Sequence, residues 1–222
     1  MIQRAFQDHC NYIFHYSSTN ELELDITHHD RLPNIENVTD SVLHGATVQA
    51  NVLEDYFTKY PHHRSAMIHP TIIREIPEHS KLFRIRSLSL NNHEGVAYLE
   101  QFTGRNLELW MSTVGTEGII EFLNRWINSE AYQNIQTLYV AARQGYGFRN
   151  LRVEQSVEMT RFDPQHPETR PHYFHYNSEV LNRVSIEINL RDENFFEIRR
   201  KVDGKTAFVR CSLQSLLFFV HN

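Results

Sequence analysis

Ile85-Arg86-Ser87-Leu88-Ser89-Leu90, then Asn106-Leu107-Glu108-Leu109-Trp110-Met111, then Ile135-Gln136-Thr137-Leu138-Tyr139-Val140 are the stretches that decide the fold. In each, apolar residues alternate with polar ones, the period of a strand with one covered face. Between the first two, residues 96–102 read as a short helix, with Gly104 as its C-cap. Between the last two, residues 117–128 place Ile119, Phe122, Leu123, Trp126 and Ile127 on one helical face, and Thr116 stands at the N-cap position. Strand, helix, strand, helix, strand in units of roughly twenty to thirty residues is the pattern of parallel crossovers or short leucine-rich-repeat coils. The expectation is an α/β fold: leucine-rich-repeat-like strand-helix units forming one curved, largely parallel sheet. Right-handed connections put every helix on the same side.

Upstream, Glu21-Leu22-Glu23-Leu24-Asp25-Ile26 alternates strictly and predicts a strand with Leu22, Leu24 and Ile26 inward. Ala46-Thr47-Val48-Gln49-Ala50 alternates more weakly, and residues 60–65 read as a surface loop. Ile2, Phe6, Cys10, Ile13 and Phe14 recur at steps of three and four, as on one stripe of a helix. Downstream, residues 163–171 contain Pro164, Pro167 and Pro171 without periodicity and read as a loop where the architecture changes. Beyond it, residues 183–190 alternate, and Asp203-Gly204 predicts an antiparallel hairpin in which Val202 faces Lys205, Ile198 faces Val209 and Glu197 faces Arg210. The expected organisation is an N-terminal helix and strand region, residues 1–80, continuous with a core unit at residues 81–222.

The chain has 222 residues, 41% hydrophobic and 22% charged, which suits a globular protein with a sizeable core. Its net charge of −5 opposes a broad nucleic-acid-binding face, because neutralising phosphates takes clustered cations. The longest apolar run, Leu216-Leu217-Phe218-Phe219-Val220, falls far short of the ~20 residues that cross a bilayer. Two cysteines, Cys10 and Cys211, without a CxxC, point to a reducing intracellular compartment, cytoplasm or nucleus. Neither nucleic acid nor membrane is expected as a partner.

Motifs for chemistry are sparse. Gly204-Lys205-Thr206 resembles the end of a phosphate loop, but Arg199 occupies the position of the required first glycine. Gly145-Tyr146-Gly147 lacks the third glycine of a dinucleotide fingerprint, since Asn150 stands there. Among 14 histidines the best local pairs are His28-His29, His62-His63 and His172 with His175, and no HExxH or GxSxG occurs. No cofactor or metal is expected. Arg199, Arg200, Lys201, Lys205 and Arg210 cluster on the hairpin, where they serve either to protect a strand edge or to bind an acidic group.

Three ordered segments carry a resemblance. Phe83-Arg84-Ile85-Arg86-Ser87-Leu88-Ser89-Leu90-Asn91-Asn92 leads into Asn106-Leu107-Glu108-Leu109-Trp110. Next, Ile120-Glu121-Phe122-Leu123-Asn124-Arg125-Trp126-Ile127 precedes Ile135-Gln136-Thr137-Leu138-Tyr139-Val140. Phe196-Glu197-Ile198-Arg199-Arg200-Lys201-Val202-Asp203-Gly204-Lys205-Thr206-Ala207 follows. Over about residues 80–212 the chain resembles the F-box-associated domain of the second type, the one expanded in nematodes. The resemblance implies the substrate-recognition module of a cullin-type ubiquitin ligase adaptor, a non-catalytic protein that binds a target protein. No F-box is visible: Leu32-Pro33 is not followed by apolar helical spacing, so contact with a Skp1-like adaptor is not expected of this chain.

The alternation leaves Glu23, Asp25, Ser87, Ser89, Glu108, Trp110, Thr137 and Tyr139 on the face away from the helices. Trp110, Tyr139, Glu108, Ser89 and Thr137 are the candidate protein-binding residues, with Trp110 and Tyr139 as anchors because aromatic side chains dominate interface energetics. A small metal-dependent or hydrolytic enzyme using His172 and His175, and a non-functional paralogue fragment, stand as alternatives.

Overall fold

A computed structural model describes residues 20–27, 32–91, 95–178 and 183–221. The N-terminal stripe, Cys10 and the His28-His29 pair lie outside the described residues. A ten-stranded mixed sheet organises the molecule, in the order β1-β2-β4-β6-β7-β8-β14-β13-β12-β9. Its parallel half comprises β1 (Asn20–Asp25), β2 (Val38–His44), β4 (Ser65–Ile68), β6 (Ser87–Asn91), β7 (Asn106–Ser112) and β8 (Thr137–Ala142). Its antiparallel half comprises β14 (Ser215–His221), β13 (Thr206–Cys211), β12 (Phe196–Arg199) and the short β9 (Thr160–Arg161). Two small sheets pair β3 (Thr47–Gln49) with β5 (Thr71–Ile73), and β10 (Tyr173–Ser178) with β11 (Arg183–Asn189).

Parallel neighbours follow in chain order, so each crossover returns one strand over. The helices are α1 (Ala50–Lys59), α2 (Gly95–Gln101), α3 (Thr116–Ile127) and α4 (Asn150–Ser156). Leu53, Leu99, Ile119, Phe122, Trp126 and Val153 from these helices join Leu43, Ile68, Leu88, Leu107, Leu138 and Phe218 from the strands in one buried cluster. All four helices therefore cover the same face of the sheet. The sheet and this core run without interruption across residue 80.

Long-range contacts decide several details differently from the expectation. Residues 60–65 are not simply a surface loop: Tyr60 is buried, and the His63 ring meets Phe57 edge-on at 4.8 Å. Gly115, not Thr116, is the N-cap of α3, and Thr116 Oγ1 instead accepts the Arg149 N–H at 3.0 Å. Gly104 is required for close approach and not for a left-handed cap: a Cβ there would lie 2.1 Å from the Ile85 carbonyl oxygen. Met111 does not continue the inward row. Three steps on β7, Leu109 to Ser112, oppose two on β8, Val140 to Ala142, which makes a bulge with Met111 at φ 53° and turned outward.

The hairpin register also differs by two residues, which preserves the faces while changing every partner. Ile198 pairs with Ala207, and Glu197 pairs with Phe208. Asp203-Gly204 does not form a two-residue turn, because Arg200 and Lys205 close a wider loop through Arg200 N–H to Lys205 C=O at 2.9 Å. Asp203 braces that loop, accepting two bonds from the Arg200 guanidinium and one from the Lys205 N–H. The Arg200 bonds, aided by Lys205, hold the Asp203 carboxyl down to about 2. Within the proline-rich segment, Arg170 is 3% exposed and enters the protein.

Candidate protein-interaction surface

The sheet register lines up side chains on the face opposite the helices. One row runs through Val42, Met67, Ser89, Glu108, Tyr139 and Leu217. A second runs through Asp40, Ser65, Ser87, Asn106, Thr137 and Phe219. The β10–β11 hairpin covers the antiparallel end of this face, where Phe174, Ile188 and Leu217 pack with Leu190, Phe195, Phe208 and Phe219. Phe174 and Phe219 bring their ring centroids to 4.9 Å.

Trp110 lies beyond that cover and is 41% exposed. Its ring centroid is 4.6 Å from that of Tyr139, with the planes tilted by 56°. The indole Nε1–H donates to Glu108 Oε2 at 3.3 Å, which fixes how the ring leans on the sheet. Burial pushes the Tyr139 phenol above its ordinary range, Glu108 adds to this and Arg210 opposes it, so the hydroxyl stays a neutral donor. An aromatic pair with one polar handle and a nearby carboxylate can pack against an apolar side chain while accepting from a partner's donor.

The structure thus brings Trp110, Tyr139 and Glu108 together and separates the other two candidates. Ser89 and Thr137 share the face but are buried, so they present no hydroxyl to a partner. Thr137 sits beside Phe219 under the hairpin-covered end, and its Oγ1 donates to Asn106 Oδ1 at 2.8 Å. Asn106 Nδ2 in turn donates to Ser87 Oγ at 2.9 Å, so this row is a satisfied polar ladder that holds the strands in register. The sequence reading missed Val42 and Met67, an apolar pair on the same face. Val42 is hidden within β2, whose residues are buried without alternation.

His172 and His175 do not converge. His172 stacks on Tyr173 at 3.8 Å, His175 Nδ1 lies 3.8 Å from Glu187 on the paired strand, and both histidines are exposed. No group of three or more His, Cys, Asp or Glu capable of holding a metal occurs among the described residues. Cys211 is half-buried, and burial, reinforced by Glu154, raises its thiol to about 11, which leaves it a poor nucleophile.

A serine–histidine contact does exist on the helix side. His63 Nδ1 donates to the Tyr60 carbonyl at 2.6 Å, so its Nε2 accepts from Ser41 Oγ at 2.7 Å, and Ser41 accepts from Tyr56 OH at 2.6 Å. Ser41 is 1% exposed, and no acyl substrate can reach it. The chain of bonds joins β2 to α1. Burial outweighs the Tyr60 carbonyl and Asp40 and pushes the imidazole below its ordinary 6.5. Because the folded value lies below the unfolded one, stability is fully present above about pH 6.5 and falls as acid protonates the unfolded chain first. The urea midpoint is expected to drop between pH 7.5 and 5.5, and His63→Gln is expected to flatten that drop. An equally steep fall in the variant would assign the effect elsewhere. Asp40 acts only at lower pH: burial raises its carboxyl, but bonds from Ser65, Arg64 and Thr39 together bring it below 3.8.

Fold and surface define a class: an α/β protein with a large, mostly parallel mixed sheet, helices on one face and an aromatic patch on the other. No family model, curated protein or solved structure matches the chain. No helix among the described residues is long and apolar enough to cross a membrane.

Proposed function

We propose that the protein is a non-catalytic interaction module, the substrate-recognition half of a cullin-type ubiquitin ligase adaptor, and that it holds its target on the face carrying Trp110, Tyr139 and Glu108. The observation that carries this reading is Trp110: a large aromatic ring exposed beside Tyr139, tethered through its indole N–H, and mounted on a hydrogen-bonded strand inside the sheet. Sheet-mounted aromatics lose little freedom on binding, which suits them as anchors. We also take the strand-helix units of the parallel half as leucine-rich-repeat-like. Their chain-order pairing and single helical face support this, since stacked repeats contact only their neighbours. The family assignment rests on the ordered sequence segments.

The test is quantitative capture with the full chain, comparing wild type with Trp110→Ala and Tyr139→Ala variants whose circular dichroism and melting are unchanged. A target protein is expected to co-purify with wild type. Losing a hot-spot aromatic typically costs about 2 kcal/mol or more, roughly thirtyfold in affinity, so target recovery is expected to collapse in either variant. Undiminished recovery by both folded variants would remove this face from the binding account.

A further inference from the structure

A hollow of about 720 Å3 opens at the carboxyl ends of the parallel strands, and neither Trp110 nor Tyr139 lines it. Arg74 follows β5, Tyr98 and Gln101 come from α2, Met111 from the β7 bulge and Arg143 from the end of β8. Its volume is in the range of small-molecule sites, and side chains converging from separate loops on a rigid sheet are the usual construction of one. The strand order here has no reversal to open a crevice; the bulge and the loops do so instead.

Three features mark the hollow as more than imperfect packing. Arg74 at φ 74° and Met111 at φ 53° hold left-handed backbone that side chains with a Cβ rarely adopt, and both line it. Gln101 Oε1 is buried without a hydrogen-bond partner among the described residues, an acceptor that a bound donor would satisfy. The Arg74 and Arg143 side chains are exposed and make no ion pair or hydrogen bond with the described residues, unlike Arg64, Arg161, Arg170 and Arg200. Glu75 also lines the hollow, so its ionised groups sum to a single positive charge and match one anionic group. Ile76, Tyr98 and Met111 supply apolar surface for the rest of a ligand.

We propose that this hollow binds a small organic anion. One carboxylate or phosphate group is held by Arg74 and Arg143, an aromatic or aliphatic body lies against Ile76, Tyr98 and Met111, and a donor on that body meets Gln101. Calorimetric titration of the full chain with phenyl phosphate, 4-hydroxyphenylacetate and inorganic phosphate tests it. At least one aromatic anion is expected to bind about tenfold or more tightly than inorganic phosphate, and the preferred head group identifies which anion the site takes. Arg74→Gln and Arg143→Gln are each expected to weaken that binding about tenfold. Ala97→Trp, at an exposed position on the wall, is expected to abolish it by filling the space. The proposal is overturned if neither aromatic anion exceeds inorganic phosphate, or if binding persists unchanged in Arg143→Gln and Ala97→Trp proteins that melt like wild type.

Discussion

Trp126→Ala is expected to lower the free energy of unfolding by about 3–5 kcal/mol, the range for removing a large aromatic side chain from a filled core. Trp126 is fully buried on α3 and meets the Phe218 ring of β14 at 5.3 Å, nearly perpendicular. The Arg200 guanidinium lies 5.2 Å from the indole on the hairpin side. The end of α3 is tied to the same hairpin through Lys201 N–H to the Ile127 carbonyl at 2.8 Å and Lys201 Nζ to Asn128 Oδ1 at 2.8 Å. Removing the indole therefore loosens the joint between the parallel and antiparallel halves of the sheet. The indole Nε1 is buried without a partner among the described residues, so it contributes shape and not a hydrogen bond to them. Trp126→Phe removes that unmet donor and is expected to cost less than half as much. Urea unfolding followed by far-ultraviolet circular dichroism measures both. A loss below about 1 kcal/mol for Trp126→Ala would show that the core collapses around the missing ring.

The legible parts of this fold are those where one face is covered and the other is not. Leu107 and Leu109 alternate with Glu108 and Trp110, and Ile119, Phe122, Leu123 and Trp126 recur at helical steps, because one side meets the core and the other does not. Strand β2 was illegible for the opposite reason: Ser41, Val42 and Leu43 are consecutively buried, which erases the alternation. Helix α1 does carry a signal, Leu53, Tyr56 and Phe57, with Tyr60 at its C-cap, at steps of three and four, but the polar residues that follow it blur that signal. Parallel pairing sets Glu108 beside Tyr139, and the strand period then brings Trp110 to the same aromatic patch, so the anchors could be named from alternation. Ser89 and Thr137 have the same period, but their burial depends on what lies over the sheet, which no local pattern encodes. The bulge at Met111 likewise has no glycine or asparagine to announce it, although it shapes the rim of the hollow.

Arg170→Ala carries the other large expected effect, about 3 kcal/mol or more, concentrated in the antiparallel half. Three prolines within nine residues make its segment look like an exposed connection, yet the side chain turns inward between the Phe162 and Phe208 rings at 5.3 and 5.4 Å. Its guanidinium donates to the carbonyls of Leu190 at 3.1 Å, Phe195 at 2.9 Å and Thr160 at 3.3 Å, joining the ends of β9, β11 and β12. The Arg170 carbonyl accepts two bonds from Arg191, both at 3.1 Å, which closes the clamp. Desolvation lowers the guanidinium's pKa, Glu197 opposes that shift, and the carbonyls take the place of water. Alanine leaves those carbonyls unpaired at about 1–3 kcal/mol each where water cannot reach them. Arg170→Lys keeps the charge but not the planar fork that spans three acceptors, so it is expected to recover no more than about half. Hydrogen exchange separates this local clamp from a general loss of stability. Amides of β9 and β12 should open in Arg170→Ala while those of β6 and β7, held by their own ladder, stay protected. Uniform acceleration across all strands would mean that Arg170 supports the whole sheet, and no acceleration would mean that the carbonyls find other donors.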